Sequence, residues 1–305
     1  MCFMVPLMGA RYVKLTCLLA FGQTRASMTC SADAKECSQS IPSVVRWVVC
    51  DADGTLVNTL PLIRYGQHEA SQEFIRVHHP DLTFPDYAQY ESALLQSIGG
   101  STRETFQRTL ALLYGEPVVE QMDLTMLDKS LKGVQDRIAP LHVRAYPHLP
   151  HFLRMLGKSG VPLAILTSGS RYHIVRNFGI ALNESLGDEL ANMYQKIHDQ
   201  SESKLQEFIQ AVFEIFGVEL HVITSDDVKQ SKPHPAGLLL ALERMGARPN
   251  ETVMVGDQTV DMQVAVAASV APIGLSHGFG SRQELLESGA LQVCDDLSEL
   301  SVVIG

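Results

Sequence analysis

The chain has 305 residues, enough for one large domain or two of ordinary size, and its 46% hydrophobic and 19% charged content is that of a globular protein. A formal net charge of −10, with no basic patch interleaved with aromatics, argues against nucleic acid as a partner. An acidic protein that handles an anionic substrate must neutralise it locally, with a metal or a few placed cations.

Residues 1–43 differ from the remainder. Arg11 and Lys14 interrupt the scattered apolar residues of Met1–Ala26, and no run reaches membrane-spanning length, so no membrane partner is expected. Leu15–Phe21 is a weak signal-peptide core, but Gln23-Thr24-Arg25 is a poor cleavage region. A short transit sequence, or a start at Met28, fits equally well. Five of six cysteines (Cys2, Cys17, Cys30, Cys37, Cys50) precede the first acidic pair, and Cys294 stands alone. That spacing is neither a disulfide framework nor a CxxC metal site. The expectation is a cytoplasmic protein with a flexible extension over residues 1–43.

Trp47–Cys50 is a short apolar run suited to a strand buried on both faces of a parallel sheet. It ends in Asp51-Ala52-Asp53-Gly54-Thr55. Carboxylates at i and i+2 leave a strand end on the same side, and Gly54 allows a sharp turn. A calcium loop fails on spacing, because counting from Asp51 puts Leu56 and Leu62 where an EF-hand needs glycine and glutamate.

A helical insertion is predicted next, over residues 59–145, with helices at Leu62–Val77, Tyr87–Ile98, Glu104–Tyr114 and Leu124–Ile138 and no strand. Ile98–Arg103 reads as a turn, and Pro140 and Pro147 punctuate the return. From Leu149 the pattern alternates. Helix His151–Ser159 ends at Gly160, strand Val161–Leu166 leads to Thr167-Ser168-Gly169-Ser170, and Arg171–Phe178 is helical. Ala181–Phe216 is polar and helix-prone. Strand Leu220–Thr224, the Ser231–Pro235 loop, helix Ala236–Met245, strand Thr252–Val255 and the Ala/Val-rich helix Met262–Ser269 follow. Ala271–Gly274 and Gln292–Cys294 complete a doubly wound parallel α/β sheet.

The strand ends thus carry Asp51/Asp53, Thr167/Ser168, a loop with Lys232, and Asp257/Asp261. Parallel strands joined by helices deliver such ends to one sheet edge, where open α/β sheets bind ligands. Carboxylates crowded there cannot all stay ionised without a cation. A hard divalent ion, most simply Mg²⁺, resolves this, while Lys232 and Thr167 offer a point charge and a donor to a phosphoryl oxygen. Taken alone, Thr167 also serves as a helix cap and Asp261 as a surface helical carboxylate.

DADGTLVNT (Asp51–Thr59), LAILTSG (Leu163–Gly169), SKPHP (Ser231–Pro235) and VGDQTVD (Val255–Asp261) resemble the four motifs of the haloacid dehalogenase superfamily of phosphatases. The likeness is to phosphoglycolate phosphatase-like members with a helical cap after the first motif. It implies a Rossmann-like core over 44–58 and 146–305 and a cap over 59–145. By that resemblance Asp51 is the nucleophile and Asp53 the general acid/base. Thr167, Ser168 and Lys232 bind the phosphoryl group, and Asp51, the Asp53 backbone carbonyl and Asp257 hold Mg²⁺. Asp261 orients Lys232 or a metal-bound water. The chain departs from the pattern at Gln258, where Ser or Thr is usual, and in the length of Glu184–Ala211.

The chemistry accounts for the same residue types. A carboxylate nucleophile splits one displacement into two, and a second carboxyl moves the proton. Dehalogenases of the superfamily lack the second acid, so Asp53 points to phosphoryl transfer. The expected substrate is a small phosphorylated metabolite such as phosphoglycolate, with Arg103 as a cap residue for a second anionic group. The alternatives are a sugar phosphomutase and a non-enzymatic phospho-receiver module.

Overall fold

The computed structural model describes residues 40–97, 102–182 and 202–304. Its main sheet has six parallel strands in the order β5-β4-β1-β6-β7-β8. These are β1 (Trp47–Cys50), β4 (Leu163–Leu166), β5 (Leu220–Ile223), β6 (Thr252–Gly256), β7 (Ala271–Leu275) and β8 (Gln292–Cys294). β1 lies between β4 and β6, and the register sets Cys50 beside both Ile165 and Val255. Asp51, Thr167 and Asp257 therefore leave the sheet at one edge.

The strands are apolar throughout because both faces are covered. Val48 and Cys50 face α6 (Leu149–Ser159), α7 (Arg171–Ala181) and α8 (Glu202–Glu214). Val49, Ala164 and Leu166 face α9 (Ala236–Met245) and α10 (Thr259–Ala267). α10 carries Ala and Val along Val264–Ala267, so its backbone can approach closely there. A Cβ on Gly256 would lie 2.3 Å from that of Asp261, so β6 must end in glycine for this helix to start where it does. α11 (Arg282–Glu287) and α12 (Leu297–Ile304) complete the layers.

Between β1 and α6 the chain runs through a helical segment of α1 (Leu60–His78), α2 (Tyr87–Ser97), α3 (Thr102–Tyr114), α4 (Glu116–Val119) and α5 (Leu124–His142), with α1 packed along α5. The absence of strands expected here is corrected. β2 (Val57–Asn58) pairs antiparallel with β3 (Arg144–Ala145), tying the segment's exit to its return. Two residues are too short for a period-2 pattern to register. Pro140 does not end α5. It sits in the last turn, and the helix closes with Val143 N donating to Ala139 O at 2.9 Å. Of the long stretch Glu184–Ala211, residues 184–201 lie outside the described residues, and 202–211 belong to α8.

Candidate active site

Asp51 follows β1 directly, its amide donating to Val255 O at 2.9 Å. The chain then folds back on itself. Leu56 N and Val57 N both donate to Ala52 O, and Gly54 N donates to Val57 O at 2.8 Å. Gly54 has φ 88°, and a Cβ there would lie 2.3 Å from Asp257 Oδ2, so conformation and space both demand glycine.

Lys232 reaches this edge from the loop after β5. Its Nζ donates to Asp51 Oδ1 at 2.7 Å, to Asp261 Oδ1 at 2.7 Å and to Leu166 O at 3.2 Å, using all three ammonium protons. Asp261, in the first turn of α10, is completely buried, and its Oδ2 accepts from Gln258 N at 3.0 Å in a capping box. The surface-carboxylate reading of Asp261 is thereby corrected. Gln258, the departure noted in the fourth motif, is the N-cap residue of α10.

Asp257 is held by different groups. Its Oδ1 accepts from Thr55 Oγ1 at 2.7 Å and its Oδ2 from Phe279 N at 2.8 Å. A Cβ on Gly278 would lie 2.2 Å from Asp257 Oδ2, and one on Gly280 2.5 Å from Asp257 O. The backbone of that loop comes in as close as it does because no side chain intervenes.

These groups share a buried pocket of charge. Burial pushes the Asp51 carboxyl up to about 7, against the pull of Lys232, with Asp261 adding repulsion. Burial also raises Asp257 well above the usual carboxylate range, and Asp51 and Asp261 push it further. Burial alone would lower the Lys232 pKa, but Asp261 and Asp51 outweigh it and hold the ammonium charged. Asp51, Asp257 and Asp261 each offer an oxygen within 4.8 Å of the others, against the one ammonium among them. Such a cluster fits a divalent cation with oxygen preference. Asp257 and Asp261 each have both oxygens engaged, but Asp257 meets only neutral donors, the Thr55 hydroxyl and the Phe279 amide. Asp261 is tied to the Lys232 ammonium as well as the Gln258 amide, and Asp51 engages Lys232 through Oδ1. Asp51 and Asp257 are the better candidates.

A cleft of about 530 Å³ opens over this edge. Asp51, Asp53, Thr167, Ser168, Lys232 and Arg103 all line it. Thr167 is buried, and its Oγ1 accepts from Gly169 N at 3.0 Å, a local turn contact in place of a cap on α7. Ser168 is exposed beside it. Arg103 stands in the first turn of α3, which corrects the expectation that it belongs to a turn; Ile98–Ser101 are outside the described residues. Cys50 is a fully buried core thiol, as its apolar setting suggests, and burial raises its pKa.

The structure adds residues that the motifs did not single out. Asn177 Nδ2 donates to Asp53 Oδ1 at 2.9 Å, and Arg176 Nε donates to Asn177 Oδ1 at 3.1 Å. Both are buried polar residues in α7, and their one sequence signal is an Arg-Asn pair amid the helix's apolar residues. Thr55 is legible within DADGT, but nothing local to that motif points to Asp257 as its partner. The Phe279 contact is made by backbone, and composition carries no trace of it.

The comparisons with known proteins agree with this geometry. A model of haloacid dehalogenase-like hydrolases matches residues 45–269. Among curated proteins, a phosphoglycolate phosphatase of Pseudomonas putida is 25% identical over 266 residues, covering 84% of this chain and 78% of its own. One from Escherichia coli O157:H7 is 23% identical over 279 residues, covering 86% and 93%. Among solved structures, a predicted phosphoglycolate phosphatase from Haemophilus somnus 129pt superposes with TM-score 0.63 at 19% identity, over 86% of this chain and 98% of that one. The fold, the strand-end carboxylates and the family match converge. The chain belongs to the haloacid dehalogenase-like hydrolases.

Proposed function

We propose that the chain is a phosphatase that hydrolyses a small phosphomonoester through an aspartyl-phosphate on Asp51, with Mg²⁺ as cofactor. The observation that carries this reading is the Lys232 ammonium 2.7 Å from Asp51, in a buried cluster with Asp257, at the floor of a cleft that Asp53 also lines. That arrangement puts a nucleophile, a fixed cation and a second carboxyl around one space.

Asp51, the Asp53 backbone carbonyl and Asp257 would hold Mg²⁺, which when bound counters charge on the phosphoryl oxygens. Asp51 attacks phosphorus through a carboxylate oxygen, and the leaving alkoxide takes a proton from Asp53. Water, deprotonated by Asp53, then cleaves the acyl phosphate and returns Asp51 with inorganic phosphate. Lys232 turns part of its hydrogen bonding from Asp51 to the phosphoryl group, while Asp261 keeps it in place. Thr167 and Ser168 donate to the phosphoryl oxygens from the end of β4.

The substrate is small. The helical segment between β2 and β3 acts as a cap over the strand ends, and a cleft of about 530 Å³ suits a metabolite, not a protein surface. Phosphoglycolate is the specific candidate, supported by the names of the curated relatives. The assay is phosphate release from a panel of phosphomonoesters with Mg²⁺, with EDTA, and with added acceptor sugar. Activity should need Mg²⁺ and no acceptor. Asp51→Asn should abolish it with the fold retained. Full turnover in metal-free protein, or phosphate release from Asp51→Asn, would overturn the reading.

A further inference from the structure

We infer that Asn177, held by Arg176 and through it by Asp136, is the positioning residue for the Asp53 carboxyl. This rests on the proposed role of Asp53. The chain of contacts is continuous. Asp136 Oδ1, on α5 of the helical segment, accepts from Arg176 Nη1 at 2.8 Å. Arg176 Nε donates to Asn177 Oδ1 at 3.1 Å, and Asn177 Nδ2 donates to Asp53 Oδ1 at 2.9 Å. The Arg176 side chain is 7% exposed, and Asn177 is 4% exposed.

The amide cannot be turned round. Its oxygen must face the guanidinium and its nitrogen the carboxylate, because a guanidinium only donates and a carboxylate only accepts. The Arg176 charge also polarises the amide toward Asp53, strengthening the second bond. Asp53 lies on a turn after β1, where a carboxyl with no partner would sample several rotamers. An acid that must meet a leaving oxygen gains from having one of its oxygens fixed.

Asp136 matters because it belongs to a different element. α5 is part of the segment between β2 and β3, whereas Arg176 and Asn177 belong to α7, which packs on the main sheet. The orientation of Asp53 is thereby tied to where α5 sits. Gln135, the neighbour of Asp136, lines the cleft itself, so α5 borders both the relay and the substrate space.

The test separates proton transfer from general damage. Asn177→Ala should cut kcat about 10- to 100-fold for an alkyl phosphate, whose poor leaving group needs the acid. The loss should be under about 3-fold for p-nitrophenyl phosphate, whose leaving group does not, and KM should hold for both. Asp136→Asn, at a part-exposed position, should give the same pattern more weakly and serves if Asn177→Ala folds poorly. A crystal structure of either variant should show the Asp53 carboxyl turned from its wild-type rotamer. Equal losses on both esters, or an Asp53 carboxyl unmoved in the Asn177→Ala crystal, would overturn the inference. Wild-type protein inactive on every ester would instead overturn the phosphatase reading, and the crystal comparison would still decide the relay.

Discussion

The ammonium of Lys232 lies 2.7 Å from Asp261, a carboxylate with no solvent exposure, and the same nitrogen reaches Asp51 at 2.7 Å. One cation thus compensates two buried anions while a third, Asp257, stands close by. Removing that cation should be costly in a way that depends on metal. Lys232→Met should lose activity and, in EDTA, lose stability by about 3–5 kcal/mol, the usual cost of leaving buried charge uncompensated. Mg²⁺ should recover part of that stability by replacing the missing charge. Chemical denaturation with and without Mg²⁺ checks this, and an equal loss in both buffers would show that the cluster does not take up a cation.

Much of this site is legible in the sequence because its parts sit at fixed offsets from apolar strands. Asp51 follows a four-residue buried run, and Asp257 follows Thr252–Gly256. Strand ends are recoverable because period and burial agree there. What stays hidden is whatever depends on contacts between distant segments. The burial of Asp261, the Phe279 amide on Asp257 and the Asp136–Arg176–Asn177–Asp53 series bring together residues far apart in the chain. The β2–β3 pair is likewise set by tertiary closure, not by local propensity.

The pH dependence of metal-free protein follows from Asp51 and Asp257. Both carboxyls are raised above the unfolded value, Asp51 to about 7. A raised carboxyl adds stability below its unfolded pKa of about 3.9 and loses it as pH climbs through the folded value. The site should therefore destabilise the metal-free fold progressively from about pH 4 to 7. Mg²⁺ binds the ionised forms, so the rise in Tm that it produces should be larger at pH 8 than at pH 5. Comparing Tm with and without Mg²⁺ at each pH cancels other titrating groups. A Mg²⁺ effect that is flat across that range would remove the buried carboxylates as its site.

Gly278 tests the placement of Asp257 without touching its charge. A Cβ there would lie 2.2 Å from Asp257 Oδ2 and 2.4 Å from its Cβ, so Gly278→Ala must displace the carboxylate or the loop. The amide of Phe279, next in sequence, would move with it. The Mg²⁺ concentration for half-maximal activity should rise about 10- to 100-fold, the range seen when groups supporting a metal ligand are lost. Unchanged Mg²⁺ dependence would mean that Asp257 is not a ligand.

Arg103 bears on the substrate. It stands in the first turn of α3 and lines the same cleft as Asp51 and Asp53, so it can meet a second group of a substrate bound there. A guanidinium there suits a carboxylate, which it can engage through two parallel hydrogen bonds. Phosphoglycolate carries such a group, and p-nitrophenyl phosphate does not. Arg103→Ala should therefore raise KM for phosphoglycolate about 10-fold or more, a loss in the range of one charge-assisted contact, and leave KM for p-nitrophenyl phosphate nearly unchanged. Because the residue is exposed at the cleft wall, the substitution should leave Tm within about 1–2 °C of wild type, as expected for a surface change. Equal rises for both esters would make Arg103 a general electrostatic or structural residue. The determinant for the second anionic group would then lie elsewhere on the helical segment.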